Sequence, residues 1–229
     1  MTSQYDVIVV GKGNAALCAA LSAADNGAKV LVLEAANEED SGGNSRFAGG
    51  VMRFAYDGVK DLQKLTDIPA EEIDTVDWES NTIDEFYDDL YRVTNFRTDP
   101  NLSETLITKS LDTMVWVRSQ GARFLPNYRF QSGMVNGKRK FFGRLPIEVS
   151  GGGAGLVQYL DAATKKAGIE VRYGTRVTSL IFDGVRVSGV RVQCNGALEE
   201  IKAKSVVLGC GGFEANPEMR ARYLGPGWE

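Results

Sequence analysis

The sequence predicts an α/β fold in which helices and an antiparallel β-meander accompany a parallel sheet. Three observations predict it. Tyr5–Val10 is a short apolar run with many β-branched residues, typical of a strand buried on both faces. A glycine turn, an alanine-rich helix and a second apolar run ending at Glu34 follow it. Later strand-like segments, separated by turns at Asp183–Gly184 and Asn195–Gly196, predict the meander.

The turn after the first strand, G-K-G-N-A-A, matches the G-x-G-x-x-G/A fingerprint of Rossmann-like dinucleotide-binding folds. Gly11 permits the tight turn, Gly13 lets the backbone approach a pyrophosphate, and Ala16 lets the helix pack closely on the sheet. The helix that begins near Gly13 would direct its free N–H groups at the phosphates. Glu34 stands where an acid can hold ribose hydroxyls, which favours NAD or FAD over NADP. We therefore predict a dinucleotide site rather than an empty glycine turn.

Composition limits the class of protein. The chain has 229 residues, of which 43% are hydrophobic and 24% charged, as in an ordinary globular protein. Its net charge of −4 gives no reason to expect nucleic acid as a partner. We expect no membrane-spanning segment and no signal peptide. Three cysteines without metal-ligand or C-x-x-C spacing predict buried thiols in the cytoplasm.

The chain contains no histidine. This excludes a Ser-His-Asp triad, a histidine general base and most zinc sites within these residues. It also excludes a histidine-linked flavin, so that any cofactor is expected to be held non-covalently. No metal is predicted.

The loop Ser41–Gly50 holds two glycine pairs, with Asn44, Ser45 and Arg46 between them. Glycine pairs disfavour regular structure and allow close backbone approach. The loop leaves the second strand just after Glu34, so we predict that it contacts the cofactor rather than being a flexible surface loop.

These segments together, G-K-G-N-A-A-L-C-A-A-L-S-A, the strand ending at Glu34 and G-G-N-S-R, resemble the flavoprotein family of fumarate reductases and succinate dehydrogenases. Within it, the sequence resembles tricarballylate dehydrogenase and its relatives in particular. The resemblance implies a glutathione-reductase-type FAD-binding domain. In that family the turn binds the FAD pyrophosphate, the acid the ribose, and the G-G-N-S loop the flavin side, while the residue matching Val177 contacts adenine through its backbone. The implied cofactor-binding residues are Gly11, Gly13, Asn14, Ala15, Ala16, Glu34, Ala35, Gly42, Gly43, Asn44, Ser45, Arg46, Gly49, Gly50, Val177, Cys210, Gly211 and Gly212.

The middle of the chain is expected to be helical. Glu71–Asp89 holds nine acids and no Lys or Arg, which we interpret as a solvated helical face rather than a metal site. Asp99 and Pro100 predict a helix start, and Gly121 its end. Its predicted apolar stripe is Leu102, Leu106, Leu111, Met114 and Val115.

The segment Arg123–Glu148 mixes bases with the aromatic residues Tyr128, Phe130, Phe141 and Phe142. A lining for an anionic substrate and packing under a solvated loop both stay open, and a nucleic-acid surface is disfavoured by the net charge. Ser150–Gly155 then leads into a predicted helix, Leu156–Ala167.

The last third predicts strands. Gly168–Tyr173 reads as a parallel strand, and Arg176–Phe182, Val185–Gln193 and Leu198–Lys202 as the meander. Ser205–Phe213 reads as a separate buried strand that resembles the A-T-G-G-F strand end of the family, which closes over the FAD. Cys210 stands where the family usually has Thr or Ser.

The resemblance covers about the first half of a family member. It implies an FAD-binding domain over residues 1–213, with a helical insertion at about 56–150, and the start of a cap domain at 214–229. The family's catalytic residues lie in a later part, so none is predicted here. The implied reaction is FAD-dependent oxidation or reduction of a CH–CH bond in a small carboxylate, such as tricarballylate or succinate/fumarate. The resemblance also allows a separate electron-transfer partner. Three other classes of protein stay open: a 3-ketosteroid-dehydrogenase-like enzyme, a non-catalytic FAD-fold binding protein and an NAD-dependent dehydrogenase.

Overall fold

The computed structural model describes residues 5–129 and 132–229, and Phe130 of the basic and aromatic segment lies outside them. The strands are β1 (Tyr5–Val10), β2 (Val30–Leu33), β3 (Val76–Asp77), β4 (Phe124–Pro126), β5 (Ser132–Val135), β6 (Lys138–Phe141), β7 (Ile147–Val149), β8 (Glu170–Arg172), β9 (Thr175–Phe182), β10 (Val187–Cys194) and β11 (Ala197–Leu208). The helices are α1 (Asn14–Asp25), α2 (Val59–Leu62), α3 (Ala70–Thr75), α4 (Ile83–Val93), α5 (Pro100–Ser119), α6 (Gly152–Lys166) and α7 (Pro217–Leu224).

The chain divides into two compact units. The first comprises Met1–Ala48 and Leu156–Glu229, and the second Gly49–Gly155. Among the residues that the structure describes, no helix is both long and apolar enough to span a bilayer.

The first unit is built on a six-stranded sheet in the order β8-β2-β1-β11-β10-β9. Strands β8, β2 and β1 run parallel, and β9 and β10 are antiparallel to their neighbours. This confirms the predicted combination of parallel sheet and meander. The predicted helix Leu156–Ala167 begins earlier, at Gly152, because Gly151 with φ +82° turns the chain into it.

One strand joins the two halves of this sheet. Residues of β11 up to Lys202 pair antiparallel with β10, and those from Ala203 pair parallel with β1. The separation of Leu198–Lys202 from a later strand was therefore wrong. No turn residue interrupts the chain there, and buried Ala203 opposite Tyr5 continues the ladder.

Both faces of the parallel strands are covered. On one face, α1 packs through Ala16 and Ala20 onto Val9, Val30 and Val32. On the other face, meander residues pack onto the alternate positions of β1 and β2, in a cluster that includes Ile8, Val10, Leu31, Leu33, Val190, Val192, Ile201 and Ala203. This explains why β1 and β2 are continuously apolar.

The end of β11 differs from the prediction of a buried strand. Val207 is 37% exposed and Leu208 61% exposed. Leu208 lines a cavity at the end of the strand, which accounts for its exposure.

In the second unit, α5 begins as predicted. The Asp99 side chain accepts hydrogen bonds from the backbone N–H groups of Asn101 (2.9 Å) and Leu102 (3.0 Å). Pro100 occupies the first turn, and Gly121 beyond the end has φ +105°.

The predicted apolar stripe of α5 was largely wrong. Leu102 and Leu106 are exposed, and the buried residues are Ser103, Ile107, Ser110, Met114 and Val117. The two serines can be buried because their hydroxyls donate to backbone carbonyls of their own helix segment, Asp99 O and Ile107 O. A search for apolar residues alone misses such positions.

We expect Asp99→Ala to lower the free energy of unfolding by about 1 kcal/mol, because two helix N–H groups lose their acceptor. Urea denaturation measures it. Asp112→Ala, which removes an exposed acid from the middle of the same helix, is the control. Equal losses in both variants would contradict the capping role.

The acidic run is not simply a solvated face. Four of its acids are held by bases of the same unit: Lys140 lies 2.8 Å from Glu79 and 3.8 Å from Asp77, Arg144 3.0 Å from Glu85, and Arg53 2.6 Å from Asp89. These pairs also neutralise part of the basic segment, so its bases offer less free charge to an anionic substrate than the sequence suggests.

Candidate cofactor-binding site

A cavity of 620 Å³ lies in the first unit, where β1, β2 and β11 end and α1 begins. Because these three strands are parallel along their shared register, their carboxyl ends meet at one edge of the sheet. That is where open α/β sheets bind their ligands. The lining residues are Val10, Gly11, Lys12, Gly13, Asn14, Ala15, Leu33, Glu34, Ala35, Gly43, Asn44, Ser45, Thr175, Arg176, Val177, Leu208, Gly209, Cys210, Gly211, Gly212 and Ala215.

Most of the predicted site residues meet in this cavity. They come from the fingerprint turn, the end of β2, the G-G-N-S loop, the start of the meander and the segment after β11. The predicted residues that line it are Gly11, Gly13, Asn14, Ala15, Glu34, Ala35, Gly43, Asn44, Ser45, Val177, Cys210, Gly211 and Gly212.

The two glycines of the fingerprint turn leave no room for a side chain at Gly11 and little at Gly13. Gly11 has φ +99°, and a Cβ on it would lie 2.6 Å from the carbonyl oxygen of Gly209. A Cβ on Gly13 would lie 3.2 Å from Ser45 Oγ. The bare backbone of this turn, at the N-terminus of α1, forms a cradle that fits a dinucleotide diphosphate.

Ser45 supplies a cap to α1. Gly13, the residue before the helix, has no side chain, and Ser45 Oγ accepts the hydrogen bond of Asn14 N–H instead, at 2.9 Å. Asn44 on the same loop donates to the Glu214 carboxylate at 3.1 Å. The loop predicted to contact the cofactor is thus hydrogen-bonded to the start of α1 and to the segment that follows β11.

Glu34 is held in position at the end of β2. Its backbone N–H donates to Arg172 O at 2.9 Å, and its Oε1 accepts from Ala36 N–H at 2.8 Å. Within residues 5–129 and 132–229 its Oε2 accepts no hydrogen bond, which leaves this oxygen available to a ribose hydroxyl.

Three predicted residues of the first unit lie outside the lining. Ala16 is fully buried against Gly209, where a Cβ would come within 2.8 Å of the Ala16 methyl. This agrees with a packing role for Ala16. Gly42, with φ +110°, packs on Val157, and Arg46 donates to the backbone carbonyl of Glu39.

The predicted Gly49 and Gly50 belong to the second unit. Gly50 has φ +85°, and a Cβ on it would lie 2.5 Å from Gly152 Cα, so that a close backbone contact requires glycine there. Its carbonyl accepts from Val149 N–H at 2.9 Å.

The cysteines are free, but they are not uniformly buried as predicted. Cys210 is exposed and lines the cavity, while Cys18 and Cys194 are partly buried. Burial raises the pKa of the Cys18 thiol to about 11, so this thiol stays protonated at neutral pH. The Cys18 thiol donates to Asn14 Oδ1 at 3.4 Å.

Sequence reasoning missed several lining residues, among them Lys12, Thr175, Arg176 and Gly209. The last three follow from topology, because they adjoin the ends of β8 and β11. Their signal is the parallel pairing of these strands with β1 and β2, which carries each following residue to the same edge.

Comparisons with known proteins identify the family of the chain and its cofactor. Residues 6–228 match the family model described as FAD binding domain. The chain therefore belongs to the FAD-binding domain family, and FAD is its cofactor, as predicted from the resemblance.

The chain is also similar to individual proteins of known activity and to solved structures. The chain is 31% identical over 219 residues to a fumarate reductase (cytochrome) of Shewanella frigidimarina, covering 95% of this chain and 35% of that protein. It is 29% identical to a 3-oxosteroid 1-dehydrogenase of Mycolicibacterium smegmatis, covering 97% and 49%. The open conformation of a flavocytochrome c3 fumarate reductase superposes with a TM-score of 0.71 at 28% identity, covering 97% of this chain and 36% of that one. The chain thus spans about a third of the length of the fumarate reductases that it matches.

Proposed function

We propose that the protein is the FAD-binding part of an oxidoreductase that acts on a CH–CH bond of a small carboxylate. One observation carries the proposal: the fingerprint turn, Glu34 and the G-G-N-S loop all line a single cavity at the N-terminus of α1. Bound there, FAD supplies a hydride acceptor and donor that protein side chains lack.

Each part of the cavity has a proposed task. The backbone N–H groups of Asn14 and Ala15 face the diphosphate. On binding, Asn14 N–H would donate to a phosphate oxygen in place of Ser45 Oγ, its present acceptor. Glu34 Oε2 accepts from a ribose hydroxyl, and Val177 offers its backbone to the adenine. The G-G-N-S loop lies along the flavin side and excludes water. Gly49 and Gly50 stay proposed contacts by resemblance alone.

The substrate class is proposed from the relatives. Fumarate reductases among them support a di- or tricarboxylate, such as fumarate, succinate or tricarballylate. The 3-oxosteroid 1-dehydrogenase relative supports a steroid as the second candidate. Bleaching of the bound flavin by one class of compound and not the other would decide between them. A separate electron-transfer partner is part of the proposal for the carboxylate case.

The compartment is also a proposal. Free thiols at Cys18, Cys194 and Cys210 support a reducing one, and we propose the cytoplasm.

The visible spectrum of the purified protein tests the cofactor site. We expect a flavin band, and intact FAD by mass after heat release. A folded, colourless protein that takes up no added FAD and is stabilised by NAD would contradict the proposal.

We expect Glu34→Ala to weaken FAD binding by about 1–3 kcal/mol, because a ribose hydroxyl would lose its half-buried acceptor. Titration of the apoprotein with FAD measures the change. Glu39→Ala removes an exposed acid five residues away and is the matched control. Unchanged affinity in Glu34→Ala would remove this residue from the ribose site.

A further inference from the structure

Lys12 of the fingerprint turn forms a largely buried ion pair with Asp161. Lys12, between Gly11 and Gly13, has a side chain only 3% exposed, and its Nζ lies 2.5 Å from Asp161 Oδ1 on α6. The same ammonium lies 5.6 Å from the centre of the Tyr173 ring. Lys12 is one of the residues that line the cavity, and it is buried.

Asp161 is shared between two lysines. Its Oδ2 lies 2.9 Å from Lys165 Nζ, which also lies 3.2 Å from Glu38. Its Oδ1 is buried, and in the described part of the chain Lys12 is the only cation on it. Burial raises the pKa of Asp161, but the ammonium groups of Lys12 and Lys165 outweigh this and hold the pKa below its usual range. The carboxylate is therefore ionised at neutral pH.

The turn itself does not require a lysine. The middle position of G-x-G accepts many side chains, and burying a charged pair is expensive unless its geometry is good. A buried charge beside the cavity is also screened far less by salt than a surface charge. The pair thus places a poorly screened cation, partly neutralised by one carboxylate, beside the site of a diphosphate.

We propose that Lys12 and Asp161 together set the electrostatic potential at the diphosphate-binding turn: Lys12 strengthens the binding of the dinucleotide diphosphate, and Asp161 weakens it. This inference rests on the proposed FAD site. The two side chains then have opposite effects on affinity, although they share one ion pair. A tether that only holds the turn against α6 would predict the same effect from both.

The test is titration of the apoprotein with FAD, ADP and adenosine, for the wild type, Lys12→Met, Lys12→Arg and Asp161→Asn. We expect Lys12→Met to weaken FAD and ADP binding about tenfold and Asp161→Asn to strengthen it about threefold. Lys12→Arg keeps the charge and should keep the affinity. Adenosine, which has no phosphate, should bind equally to all four. Lys166→Met removes an exposed cation from α6 and is the control for net charge.

Circular dichroism confirms that each variant folds. If Asp161→Asn does not fold, the two Lys12 variants still test the role of the charge. Lys12→Met should then bind ADP more weakly than Lys12→Arg, while both bind adenosine equally. Weakening by both Lys12→Met and Asp161→Asn, or equal loss of adenosine binding, would overturn the inference while leaving the FAD site intact. A wild-type protein that binds neither FAD nor ADP would overturn the proposed function itself.

Discussion

Gly13→Val should leave the purified protein without FAD. The new Cβ would lie 3.2 Å from Ser45 Oγ and 3.6 Å from the Gly42 carbonyl oxygen, and the two methyl groups of valine need more room than this. They would also cover the backbone N–H groups that we propose as contacts of the diphosphate. Overpacking of this kind costs about 1–3 kcal/mol, or roughly 5- to 150-fold in affinity, before the lost phosphate contacts are counted. Flavin absorbance per protein and FAD titration measure the loss.

Ser22→Val is the matched control for this variant. It places valine at an exposed position on the same helix, at the end away from the cavity. Gly13 has φ −78°, so backbone strain is no part of the effect, and Gly13→Ala should give an intermediate loss. Full retention of FAD by Gly13→Val would refute the assigned pocket.

Gly209→Ala should lower the stability of the protein itself. Its Cβ would lie 2.8 Å from the Ala16 Cβ and 2.9 Å from the Ala16 Cα, so that α1 and the end of β11 would have to separate. Ala16 is fully buried and belongs to the core between α1 and the sheet, so that moving it disturbs this packing. We expect the free energy of unfolding to fall by about 1–3 kcal/mol. Thermal and urea denaturation of the apoprotein measure it.

Gly49→Ala is the control for Gly209→Ala. Gly49 lies outside the left-handed region of the backbone, and a Cβ there would meet nothing within 4 Å. Its stability should match the wild type or exceed it slightly, since alanine restricts the unfolded chain. A Gly209→Ala protein as stable as Gly49→Ala would show that β11 can shift without cost.

Local chemistry explains what the sequence determined by itself. The strand–turn–helix unit from Tyr5 to Asp25 depends on neighbours in the chain: β-branched residues, two glycines and small helix residues. Glu34 follows from the same unit because β2 must return beside β1. The start of α5 needed only Asp99 and Pro100. In each case a few adjacent residues determine the free-energy difference between this local conformation and its alternatives. The order of those residues is therefore enough to predict the local structure.

Only the tertiary structure decided which distant residues meet. Sequence spacing does not predict three features of the fold: the continuity of β11 from meander to parallel sheet, the buried serine face of α5, and the pairing of Asp89 with Arg53. Gly209 reads as an ordinary strand end until Ala16 of α1 is placed against it. Lys12 reads as the free position of a turn, and Asp161 becomes its partner only once α6 is packed. Burial and charge pairing are properties of the folded surroundings, and the residues that supply those surroundings lie as far as 198 positions away along the chain (203 − 5 for Ala203 beside Tyr5).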